Sequence, residues 1–134
     1  MTRSTQFLSI LVGLGLMMVT TGCGKNTSLT GLVPAGGVIY SGGVPLENAL
    51  ITFYPASESG RTAIALSDSN GKFTMTTLNV NDGVFPDDYK ISVVLMSAEA
   101  SLPQKYSVAA NSGLAVALSE KGDKSIRLDI STNN

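Results

Sequence analysis

After the first three dozen residues, apolar and polar positions alternate with a period of two along most of the chain. In "ALITFYP", Ala49, Ile51 and Phe53 share one face and Leu50, Thr52 and Tyr54 the other. In "YKISVVL", Tyr89, Ile91, Val93 and Leu95 oppose Lys90, Ser92 and Val94. "GLAVALS" groups Leu114, Val116 and Leu118, and "KSIRLDIS" sets Ile126, Leu128 and Ile130 against Arg127 and Asp129. "TAIALS" and "KFTMTTL" place Ile64, Leu66, Phe73 and Met75 inward, and "GVIY" makes a shorter first strand. Side chains that switch sides at every step give strands that are apolar on one face and wet on the other. That pattern predicts antiparallel pairing. Seven such strands in about 100 residues, parted by turn signals, predict an all-β sandwich.

The connections carry their own chemistry. "SGGVPL" joins the first two strands through Gly42 and Gly43, which tolerate positive φ. In "SDSNGKF", Asn70-Gly71 suits a type I′ hairpin turn. Asp68 and Asn70 are also weak calcium candidates, but a helix–loop–helix calcium site places its glycine later and follows it with a glutamate. "NDGVFPDDYK" concentrates Asp82, Asp87 and Asp88. Such clusters are ordinarily solvated loops, with Asp87 and Asp88 as further weak calcium candidates. The long connection from Met96 to Ser112 is expected to cross between the sheets.

The N-terminus breaks the alternation. Met1 to Gln6 is polar with one positive charge, Arg3, and Phe7 to Val19 is apolar over 13 residues. A membrane-crossing helix needs about 20 apolar residues, so this run is too short and reads as a secretory signal over residues 1–22. Its end, Thr20-Thr21-Gly22-Cys23, holds the chain's single cysteine behind a small residue. This resembles the lipobox of bacterial lipoproteins, with Thr20 where leucine is most common. The resemblance implies cleavage before Cys23 and a diacylglyceryl thioether on its sulfur, with palmitate-type acyl chains as the membrane anchor. Two or more chains hold a protein stably where one does not. Gly24 follows Cys23, not the aspartate that retains some lipoproteins at the inner membrane, so the outer membrane is favoured. Residues 23–35, rich in Gly, Ser, Thr and Asn, read as a tether, and residues 36–131 as the domain.

Composition narrows the function by exclusion. Of 134 residues, 43% are hydrophobic and only 14% charged, against about 25% charged in an average soluble domain. Beyond residue 22 there are eight basic and ten acidic residues, a net of −2. The basic residues are spread singly, which gives nucleic acid no clustered face to bind. The absence of histidine removes the commonest acid–base catalyst near neutral pH. A single cysteine excludes intrachain disulfides and His/Cys zinc sites.

The segments "GGVIYSGGVPLENALITFYP", "GRTAIALSDSNGKFTM" and "FPDDYKISVV" closely resemble, in that order, the pattern of carboxypeptidase regulatory-like domains. "LPQKYSVAANSGLAVAL" is similar to a segment of short bacterial lipoproteins that contain little else. The resemblance runs from about Val33 to Ile130, with Asp87 where the family usually has glycine. It implies a seven-stranded antiparallel Greek-key sandwich of the prealbumin type, related to transthyretin. It also implies an accessory or stand-alone envelope component and no cofactor. A related branch hydrolyses 5-hydroxyisourate with histidines, and this chain has none.

The expected function is therefore a lipid-anchored structural and binding module of the cell envelope, facing the periplasm or the cell surface. It has no catalytic residues, and an envelope protein or a glycan is its possible partner. The alternative is a carbohydrate-binding module, for which Tyr40, Tyr54, Phe85, Tyr89 and Tyr106 are the available aromatic rings. Tyr89 reads as core or as a corner residue.

Overall fold

The computed structural model describes residues 29–132. The strands are β1 (Ala35–Ser41), β2 (Val44–Pro45), β3 (Ala49–Pro55), β4 (Ala63–Leu66), β5 (Lys72–Thr74), β6 (Asp88–Leu95), β7 (Ala115–Ala117) and β8 (Asp123–Ile130). They form two four-stranded sheets. In the first, β1 is flanked by β8 along one edge and by β5 and the short β2 along the other; the second runs β4-β3-β6-β7. Ile39, Phe73, Met75, Leu128 and Ile130 of the first sheet meet Ile51, Phe53, Tyr89, Ile91 and Val93 of the second in one core.

Two expectations about the sheets need correction. The structure has eight strands among the described residues, the eighth being the two-residue β2. The pairing is also not wholly antiparallel, because β1 and β8 run parallel from Ala35↔Asp123 to Ser41↔Ile130. Alternation reports which face is buried and carries no information about partner direction. A bulge between Ala35 and Gly37 brings β8 so close that a Cβ on Gly37 would lie 1.7 Å from the Ile126 carbonyl oxygen. Only glycine fits there.

The phase of β4 also differs. Ala63 and Ala65 point into the core, while Ile64 and Leu66 are 48% and 56% exposed. Directly opposed residues share a face, and β4 pairs Ala65 with Ile51 and Ala63 with Phe53. The large inward side chains of β3 leave room for alanine opposite. Ser67, buried just beyond the strand, fixes this phase: its hydroxyl accepts from Ala49 N at 2.9 Å and donates to the Leu46 carbonyl at 2.6 Å.

The type I′ geometry falls at a different place from the one expected. Gly42 and Gly43 take φ of 57° and 82°, the two positive values that turn requires. At the β4–β5 turn only Gly71 is left-handed, with φ 72°. There Asp68 Oδ1 accepts from both Asn70 N and Lys72 N at 2.9 Å, and Gly71 N donates to the Asp68 carbonyl. This is a three-residue loop with a glycine bulge. Beyond it, the pair is joined again at Ile64 and Thr76, while β4 and β5 diverge into different sheets.

The connection after β6 does not cross between the sheets. It returns to β7, the neighbour of β6, through a short 3-10 helix (Gln104–Ser107) and the helical turn α1 (Ala109–Ser112). Ser112 pins it by donating to the Ile91 carbonyl. Tyr106 inserts into the core, and its hydroxyl accepts from Ser131 N at 2.8 Å, just past β8.

Candidate functional site

A trough of about 740 Å³ lies on the outer face of the first sheet. Its floor is the β1 backbone at Gly36 and Gly37, between β5 and β8. Lys72 and Thr74 rise from β5, and Lys124, Ser125 and Arg127 from β8. Tyr40 stands toward the far end of β1, with the Arg127 guanidinium 4.1 Å above its ring. Arg127 is also chelated by Asp129 at 2.8 and 2.9 Å. Both side chains of that pair are more than half exposed, so the pair orients the guanidinium and adds little stability.

Among the described residues lining the trough, three are cations and none is a carboxylate. Asp123 lies just outside, and its carboxyl is held below the usual range by the Ser125 backbone N–H and then its hydroxyl. Ammonium groups bordering a shallow groove suit a bound anion.

The four calcium candidates do not converge. Asp68 and Asn70 cap the β4–β5 turn, near the start of β3, whereas Asp87 and Asp88 lie beside its end. The Asp68 carboxylate is occupied by turn amides. Asp87 accepts from the Ser57 hydroxyl and from Asp88 N, which hold its carboxyl below the ordinary value, the Ser57 contact most of all. Among the described residues, no three His, Cys, Asp or Glu side chains are grouped to hold a metal ion.

The five aromatic candidates also separate. Tyr89 and Tyr106 are core residues, and Phe85 is half-buried beside Gly31. Tyr40 lies on the outer face of the first sheet and Tyr54 on that of the second, on opposite sides of the molecule. The lipidation candidate Cys23 lies outside the described residues.

The trough cations escape sequence inspection because Lys72 meets Lys124 and Arg127 only across β1. A partial signal existed in the outward phase of Lys72 and Arg127, read together with the glycine pair of β1. No protein-family model matches the chain, and neither does any curated protein or solved structure.

Proposed function

We propose that this chain is a lipid-anchored module of the bacterial cell envelope that binds without catalysing, with the outer membrane as its favoured site. The anchor reading rests on the short apolar run ending at Thr20-Thr21-Gly22-Cys23. The finer fold reading, a prealbumin-like Greek key of the carboxypeptidase regulatory-like kind, rests on the order of the quoted motifs. Two four-stranded sheets around one core support it.

One observation carries the binding reading: a trough lined by Lys72, Lys124 and Arg127 without a carboxylate. Its ligand is an acidic envelope glycan, whose carboxylate or phosphate groups meet the lysines while sugar hydroxyls bond to Thr74 and Ser125. This keeps the carbohydrate reading and moves it from aromatic stacking to charge. The test is retention of the mature protein on acidic and neutral polysaccharide matrices. Retention on the acidic matrix alone, weakened by salt and lost in Lys72→Glu/Lys124→Glu, is expected. Equal behaviour of wild type and variant, or turnover of the polysaccharide, contradicts the reading.

A further inference from the structure

The segment between β5 and β6 contains a loop, Thr77 to Gly83, wired almost entirely from inside. Asp82 accepts from Thr77 N at 2.7 Å, Leu78 N at 3.0 Å and Asn79 N at 2.7 Å. The Thr77 hydroxyl donates to the Gly83 carbonyl, and Asn81, at φ 60°, donates its N–H to Thr76 Oγ1. The Asp82 carboxylate and the Thr77 hydroxyl are engaged inside the loop, while its apolar side chains face outward: Leu78 is 48% exposed and Val80 85%. Single exposed aliphatics are ordinary on protein surfaces. Position sets this pair apart.

The chain enters the sandwich at the base of this loop. Val33 exchanges both backbone hydrogen bonds with Val84, at 2.7 and 2.9 Å, directly beyond Gly83. Gly31 lies against the Phe85 ring. Ten residue steps separate Cys23 from Val33, at most about 35 Å fully extended and about 17 Å as a relaxed coil. The end of the domain that carries Leu78 and Val80 is thus the end held nearest the acylated residue. The adjoining turn, Ser119–Gly122, which packs on Pro34, presents Glu120 and Lys121, one charge of each sign.

We propose that the Thr77–Gly83 loop is a membrane-docking tip, whose Leu78 and Val80 side chains seat in the interfacial layer of the phospholipid bilayer and fix how the sandwich stands on it. The proposal rests on the lipid-anchor reading. Two aliphatic side chains bind a bilayer feebly alone, but the tether converts their contact into an intramolecular step at high effective concentration. The rigid loop adds to this because little ordering remains to be done on contact.

The chain contains no tryptophan, so Val80→Trp gives a unique fluorophore at an exposed position that no packing depends on. Val44→Trp, 64% exposed on the Gly42–Gly43 turn at the other end of β1, is its control. The mature chain is coupled through its sole thiol, Cys23, to a maleimide-headgroup lipid in phosphatidylcholine vesicles with brominated acyl chains. This supplies the anchor chemically, so the outcome does not depend on acylation in the cell, whose failure would show separately in the mass of the native protein. The expected result is a blue-shifted, bromine-quenched emission from Val80→Trp and an unshifted, unquenched one from Val44→Trp. Adding Leu78→Asp to the Val80→Trp chain should reverse both changes. Equal emission from the two probes, whether both respond or neither, would overturn the proposal.

Discussion

The Tyr89 hydroxyl donates to the carbonyl of Phe85 at 2.7 Å, from a ring sealed in the core 5.4 Å from that of Phe53. The contact ties the start of β6 to the loop before it. A tyrosine that bonds back to backbone a few residues upstream is a recurring corner device of β-sandwiches. Burial, with a smaller contribution from the Asp87 charge, pushes the phenol up to about 12. The unfolded chain releases the same proton near 10. Between those values unfolding releases a proton, so stability is full below pH 10 and declines as pH rises toward 12, by up to about 3 kcal/mol. Tyr89→Phe should lose about 1–2 kcal/mol at neutral pH and lack this alkaline decline. Denaturant midpoints at pH 8 and pH 11 for both chains check it.

Asp82 gives the acid counterpart. Burial raises its carboxyl, but the amides of Asn79, Thr77 and Leu78 together outweigh that and leave it below the ordinary value. Its contribution is present above the unfolded value near 4 and is lost as pH falls through the folded one. Amide exchange at Thr77, Leu78 and Asn79 should quicken in acid before the core amides respond. Asp82→Asn should expose the same amides at neutral pH, at a cost of about 1 kcal/mol, as for a lost cap.

Gly37→Ala should be the most damaging single-methyl change. The new Cβ would strike the Ile126 carbonyl, which is backbone and cannot swing away, so the parallel β1–β8 pair must part, at about 3 kcal/mol or more. Gly43→Ala meets open space and strains only a φ of 82°, costing about 1 kcal/mol. Thermal unfolding of the two variants measures the difference.

Ser67→Ala removes a hydroxyl that serves two backbone groups, Ala49 N–H and the Leu46 carbonyl. The cost should be about 1–3 kcal/mol, with little change in packed volume. A lower denaturant midpoint at unchanged slope would show that only stability moved.

Legibility followed chemical contrast. Where one phase is apolar and the other charged, as in β8 with Ile126, Leu128 and Ile130 against Arg127 and Asp129, the buried face was plain in the sequence. In β4 both phases are apolar, and the bulk of Ile51 and Phe53 on the partner strand, together with the buried Ser67, decides that Ala63 and Ala65 go inward. The parallel β1–β8 pairing joins residues about ninety apart, and no local pattern encodes direction. The trough was hidden for the same reason, since Lys72 and Lys124 meet across a strand carrying neither. Asp68 and Asp87, weighed as calcium ligands, serve backbone and hydroxyl donors of their own loops, a use that residue type alone does not announce.

The central proposal is attachment: a β-sandwich held on the bacterial envelope through acyl chains on its single cysteine. Intact mass spectrometry of the protein extracted from cell membranes tests it most directly. A chain beginning at Cys23 and heavier by a diacylglyceryl group, replaced by a released or unprocessed chain in Cys23→Ser, is the expected result. A mature N-terminus elsewhere, or an unmodified Cys23 thiol, would contradict it.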